Sequence, residues 1–121
     1  QIVSDRNGIL YAGVDDGNAS VYVSRNKGET WSLLRRFPET GGPAQAITID
    51  PNNPNRIAVS QRKWDDNAGA KIYLSNDAGV TWTVLDAALP NSSGAADMLF
   101  NPNGRSLFVQ MNSGTLYEVT L

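Results

Sequence analysis

Apolar residues recur along this chain in short runs of three to five, each bounded by a turn-forming cluster. Residues 21–23 (Val-Tyr-Val), 72–74 (Ile-Tyr-Leu), 46–49 (Ala-Ile-Thr-Ile), 96–100 and 106–109 (Ser-Leu-Phe-Val) are such runs. Residues 32–34 and 83–85 are shorter ones. β-branched and aromatic residues dominate them, and Gly, Asn, Asp or Pro separates them every 8–12 residues, a pattern of short strands in an all-β fold. No stretch sustains a helical period. Residues 86–89 (Asp-Ala-Ala-Leu) are compatible with one helical turn before Pro90.

The runs are organised by an internal repeat. Residues 24–31 read SRNKGETW and residues 75–82 read SNDAGVTW, an offset of 51. Ser24 matches Ser75, Asn26 matches Asp77, Gly28 matches Gly79, and Thr30 with Trp31 matches Thr81 with Trp82. Upstream, Gly8-Ile9-Leu10-Tyr11 aligns with Arg56-Ile57-Ala58-Val59, and a third, partial copy covers residues 106–117. Asn-Pro turns (Asp50-Pro51-Asn52-Asn53-Pro54 and Asn101-Pro102-Asn103-Gly104) lead into the second and third copies. A repeat of about 50 residues with four strands has the size of one β-propeller blade. The pattern predicts about eleven strands in two and a half blades, spanning roughly residues 6–50, 51–101 and 102–121.

The repeated octapeptide has the composition of a tight turn. Gly28 and Gly79 suit a positive φ, and the side chains of Asn26 and Asp77 can accept hydrogen bonds from backbone N–H groups of the turn. Trp31 and Trp82 re-enter a strand and are expected to pack under the hairpin. The first copy keeps an acceptor but not a charge, which favours a structural turn over a catalytic or metal-binding one.

These octapeptides resemble the Asp-box, Ser-x-Asp-x-Gly-x-Thr-Trp, with one substitution in the first copy. The box is found in sialidase (BNR) repeats, xyloglucan-active glycoside hydrolases, sortilin-type receptors and photosystem assembly propellers. The lead-in Asp50-Pro51-Asn52-Asn53-Pro54-Asn55-Arg56-Ile57 is most similar to the xyloglucanase and sortilin type. The resemblance implies a propeller and an extracellular, carbohydrate-active setting. It carries over no catalytic residue: the Arg-Ile-Pro signature of sialidases is absent, the arginines show no triad spacing, and the two aspartates of xyloglucan hydrolases come from two separate propellers.

Composition narrows the chemistry. The 121 residues include no histidine and no cysteine, so metal sites and nucleophilic or general-base catalysis lose their commonest side chains, and no cofactor or metal is expected. An enzyme, if there is one here, is a glycoside hydrolase working through carboxylates. The net charge of −2 and the absence of a basic cluster argue against nucleic acid or an anionic membrane as partner. No apolar run approaches a membrane span. Candidate ligand contacts lie in the loops between second and third strands, opposite the boxes: Asp15 and Asp16 in one, and Arg62, Trp64, Asp65 and Asp66 in the other. Carboxylates beside an aromatic ring suit an oligo- or polysaccharide, whereas Asp, Asn and Gly are equally good turn formers. Two sequons stand at Asn18 and Asn91. Two and a half blades leave sheet edges and apolar faces open. The chain is therefore expected to be the remainder of a longer propeller or a homo-oligomer, ring or filament. Residues 1–4 are a candidate outer strand donated to an open blade.

Overall fold

A computed structural model describes residues 1–37, 44–61, 71–85 and 94–121. Eleven strands are found among these residues, as the hydrophobic runs predict. They form three antiparallel sheets in chain order. The first holds β1 (Ile2–Ser4), β2 (Leu10–Asp15), β3 (Ala19–Ser24) and β4 (Ser32–Arg36). The second holds β5 (Ala44–Asp50), β6 (Asn53–Gln61), β7 (Lys71–Ser75) and β8 (Thr83–Val84). The third holds β9 (Ala95–Phe100), β10 (Ser106–Met111) and β11 (Leu116–Thr120). Each sheet is an up-and-down meander, the arrangement of a propeller blade. The turn of residues 86–89 and the sequon at Asn91 lie outside the described residues.

Two expectations are corrected. Ile2–Ser4 is not an outer strand: it pairs with β2 (Ile2 opposite Ala12, Ser4 opposite Leu10) on the edge away from β4. Backbone bonds between Gly13 and Gln1, together with the Gln1 Oε1 acceptor 3.0 Å from the Ile47 amide, hold it there. The alignment of the first two copies also shifts by one. Leu10 lies opposite Ser24 and Ile57 opposite Ser75, so Leu10 corresponds to Ile57, and Ile9 to Arg56. Leu10 and Ser24 are 14 residues apart whereas Ile57 and Ser75 are 18 apart, so the copies differ in length between their second and third strands and no single offset aligns them.

The sheets stack face to face through two apolar layers. Tyr11, Val21, Val23 and Phe37 of the first sheet meet Ile47, Ile57, Val59 and Tyr73 of the second. On its other side the second sheet sets Ala46, Ala58, Ile72 and Leu74 against Met98, Phe100, Val109 and Met111 of the third. Strand alternation makes this possible, because neighbours such as Ala58 and Val59 point to opposite faces. In β6 and β7 of the middle sheet, which is covered on both faces, successive residues are apolar over Ile57–Val59 and Ile72–Leu74. Phe37 stacks on Tyr73 at 4.1 Å between centroids and meets Trp82 edge-on at 5.4 Å. Burial raises the Tyr73 phenol above its ordinary pKa.

Candidate functional site

The repeated octapeptides form the β3–β4 and β7–β8 turns, and the two copies share one hydrogen-bond scheme. Ser24 Oγ accepts from the Gly28 amide at 2.8 Å, and Ser75 Oγ from the Gly79 amide at 2.8 Å. Asn26 Oδ1 accepts from the Thr30 amide and Asp77 Oδ1 from the Thr81 amide, both at 2.9 Å. Each indole Nε1 donates back to the glycine carbonyl, Trp31 to Gly28 and Trp82 to Gly79. Gly28 and Gly79 have φ of 87° and 89°. The residue before each is also left-handed, Lys27 at 62° and Ala78 at 58°. Two successive positive φ values make a type I′ turn. Composition pointed only to the glycines. Lys27 and Ala78 are held by their surroundings, Ala78 through its amide to the Asn55 carbonyl at 2.8 Å.

The copies differ in charge and in packing. Asp77 Oδ2 also accepts from Thr81 Oγ1 at 2.5 Å, where Asn26 Nδ2 instead donates to Thr30 Oγ1 at 2.7 Å. The Thr81 hydroxyl, the Thr81 amide and the Ser75 hydroxyl lower the Asp77 pKa to about 2. A carboxyl with a depressed folded pKa binds fewer protons folded than unfolded. Its contribution is therefore present above the ordinary value near 4 and is lost as the pH falls towards 2. Asp77→Asn is expected to keep the turn, as Asn26 does, and to flatten that part of the acid limb. Urea midpoints between pH 2 and 6 check this: a wild-type-minus-variant difference that does not shrink below pH 4 contradicts it. Trp82 is half-buried against Phe37, whereas Trp31 is 38% exposed, so the expected packing under the hairpin is met in the second copy only. Among the described residues, the first sheet packs against the second copy's tryptophan and none packs against the first copy's.

At the opposite end of the first sheet, the β2–β3 turn carries Asp15 and Asp16. Asp15 Oδ1 accepts from the Gly17 amide at 3.1 Å. Asp16 Oδ2 accepts from Arg36 Nη2 and from the Tyr22 hydroxyl, both at 2.6 Å, while Oδ1 accepts from Ser20 Oγ at 2.8 Å. The Arg36 guanidinium, then the Tyr22 and Ser20 hydroxyls, hold the Asp16 carboxyl well below the usual range. Asp16 thus ties the turn to β3 and β4. Sequence reasoning paired Asp15 with Asp16 and did not find Tyr22 or Arg36, whose contacts need the strand register (Ser20 opposite Arg36) to be known. The Asn18 amide reaches the Phe37 carbonyl at 3.4 Å. Arg62, Trp64, Asp65 and Asp66 lie outside the described residues. Among the described residues, no group of three or more acidic side chains is placed to hold a metal.

A second polar centre was not singled out from the sequence. Arg56 of β6 donates through Nη1 to the Gly104 carbonyl at 2.8 Å and through Nε to Asn76 Oδ1 at 3.2 Å. Asp50 Oδ2, on a residue only 2% exposed, lies 3.6 Å from Nη1. Arg56 thereby joins the lead-in turn, the β7–β8 turn and the third sheet. The Asn52 side chain adds a bond to the Pro102 carbonyl at 3.0 Å.

Three stacked antiparallel meanders with I′ turns at one end define a segment of β-propeller. The comparisons with known proteins agree. The chain superposes over 98% of its length on a GH74 xyloglucanase from Xanthomonas campestris, at TM-score 0.76 and 16% identity, covering 20% of that chain. It superposes over 97% on a GH74 enzyme from Niastella koreensis, at TM-score 0.70 and 19% identity, covering 21% of that chain. In sequence, it is 30% identical over 105 residues to a probable oligoxyloglucan-reducing end-specific xyloglucanase of Neosartorya fischeri. It is 29% identical over 105 residues to an oligoxyloglucan-reducing end-specific xyloglucanase of Emericella nidulans. The matches cover 84% of this chain, which spans only 12% of the length of either relative. No protein-family model matches the chain.

Proposed function

We propose that this chain is a glycan-recognising segment of an Asp-box β-propeller, working in an extracellular carbohydrate-active protein as part of a larger propeller assembly. The observation that carries this reading is the similarity to two xyloglucanases across 84% of the chain. The β3–β4 and β7–β8 turns are the Asp-boxes of this reading, and their role is to close the hairpins. Glycan contact is assigned to Asp15 and Asp16 of the β2–β3 turn, with Arg62, Trp64, Asp65 and Asp66 as further candidates from the sequence, because an indole can stack on a sugar ring and carboxylates can accept hydroxyl bonds. Both Asp16 oxygens already accept bonds within the chain, Oδ2 from Arg36 and Tyr22 and Oδ1 from Ser20, so Trp64 is the residue chosen to test this reading. No residue is assigned a catalytic role.

Binding of a xyloglucan oligosaccharide, followed by calorimetry, tests this. Trp64→Ala is expected to weaken binding about tenfold, a loss of about 1.4 kcal/mol, with an unchanged circular-dichroism spectrum. Equal affinity in the variant removes Trp64 from the site.

A further inference from the structure

We infer that Asn7 is a site of spontaneous covalent modification: its side-chain amide closes onto the Gly8 backbone nitrogen, loses ammonia and reopens with water to aspartate or isoaspartate. The inference does not depend on glycan contact.

Asparagine precedes glycine at two positions, Asn7-Gly8 and Asn103-Gly104. Glycine has no Cβ, so its backbone nitrogen approaches the preceding side chain with the least hindrance. The two pairs occupy the same place in a turn. Gly8 has φ of 84° and donates its amide to the Asp5 carbonyl, while Gly104 has φ of 74° and donates to the Asn101 carbonyl. Sequence and turn geometry therefore do not rank them, but their surroundings do.

The Asn103 pair is clamped. Asn103 Oδ1 accepts from the Arg105 amide at 2.8 Å, which commits the side chain two residues onward. The Gly104 amide bond is 2.8 Å long, and Arg56 Nη1 holds the Gly104 carbonyl at 2.8 Å. The Asn52 side chain holds the Pro102 carbonyl at 3.0 Å. The second sheet thus grips this turn from outside. Asn7 and Gly8, by contrast, are exposed. Among the described residues, no hydrogen bond engages the Asn7 side chain. The Gly8 amide bond is longer, at 3.2 Å, and a Cβ placed on Gly8 would meet nothing within 4 Å.

The reaction needs only water and hydroxide. Hydroxide takes the Gly8 amide proton, and the nitrogen bonds to Asn7 Cγ. The Cγ–Nδ2 bond breaks, and ammonia leaves with a proton from water. Water then adds to one carbonyl of the five-membered ring. Opening at Cγ gives aspartate; opening at the main-chain carbonyl gives isoaspartate, with an extra methylene in the backbone. Both products set a second carboxylate near Asp5, whose Oδ1 accepts from the Asn7 and Ile9 amides at 2.8 and 2.9 Å. This turn joins β1 to β2, so its modification loosens that end of β1. The Asp5 amide, which donates to the Ile9 carbonyl at 2.9 Å, reports on it.

The test ages the full chain at about pH 8 and 37 °C, in buffer and in concentrated urea. Digestion at mildly acidic pH and fragmentation mass spectrometry then locate each converted asparagine. In the folded chain Asn7 is expected to convert about tenfold faster than Asn103, because the clamped turn has to open first. In urea the two rates converge. Equal rates in the folded chain, or the same ratio in urea, overturn the assignment. Hydrogen exchange of the Asp5 amide is expected to be about tenfold faster in the aged wild-type chain. It stays unchanged in aged Asn7→Gln, whose longer side chain closes far more slowly. Unchanged exchange in a fully converted wild-type chain overturns the loosening of β1.

Discussion

Phe37→Ala is expected to destabilise the chain by about 3–5 kcal/mol, the range for truncating a large buried aromatic residue. Phe37 follows the last strand of the first sheet, is 1% exposed, and sits wholly within the layer shared with the second sheet. Its ring is stacked on Tyr73 and edge-on to Trp82. Removing it opens a cavity between two sheets that are covalently joined only through residues 37–44, so the layer has no local chain geometry to preserve it. The Phe37 amide bond to the Ala19 carbonyl at 2.8 Å survives the substitution, which isolates the ring's contribution. A domain is commonly stable by only about 5–15 kcal/mol, and so the variant is expected to be partly unfolded at 37 °C. Urea denaturation followed through tryptophan fluorescence checks this, because Trp82 touches the ring and reports directly on it. A loss below about 1 kcal/mol, small beside the expected range, means that the layer closes over the gap and that the stack does not hold the sheets together.

Arg56→Met is expected to cost about 1–3 kcal/mol, the range for leaving hydrogen-bond partners without their donor, since the Arg56 side chain is itself 23% exposed. The side chain keeps its aliphatic stem in this variant, so the loss is polar. The Gly104 carbonyl and Asn76 Oδ1 lose their donor, and Asp50, 2% exposed, loses its arginine and keeps the Asn52 amide at 2.9 Å. The ion pair at 3.6 Å is longer than the Gly104 bond at 2.8 Å, so the hydrogen bonds carry more than the Coulomb attraction. Arg56→Lys is expected to recover little, since an ammonium cannot span the carbonyl and the Asn76 amide as a planar fork does. Adding Asp50→Asn to Arg56→Met is expected to restore part of the loss by removing the stranded charge. Thermal and urea midpoints of the two single variants and the double variant measure this. Additive losses at Arg56 and Asp50 show that the two residues act separately.

Arg56 also marks where reading the sequence stopped short. The Asp50 to Ile57 stretch carried the family resemblance, yet its arginine attracted no function. Asp50 is six residues away, but Asn76 is 20 residues away and reaches Arg56 through the β6–β7 pairing, and Gly104 is 48 residues away and is brought in only by the stacking of the second sheet on the third. The same holds for Asp16. Its role as a turn former was legible from Asp15-Asp16-Gly17-Asn18, but Tyr22 and Arg36 join it only through the β3–β4 register. Trp31 and Trp82 are identical in sequence context and differ in exposure, because one has a neighbouring sheet and the other has none.

The sequence by itself determined the strands, the repeat, and the chemistry of the two hairpin turns. These depend on contacts within a few residues: alternation sets which side chains share a face, and Ser-x-Asn/Asp-x-Gly-x-Thr builds its hydrogen bonds from its own atoms. The tertiary structure alone decided which edge residues 2–4 occupy, which copy of the tryptophan is packed, and how the arginines are partnered. Each of these is settled by a neighbour far away in the chain, and packing one sheet on another is a choice among many apolar surfaces that local preference does not rank.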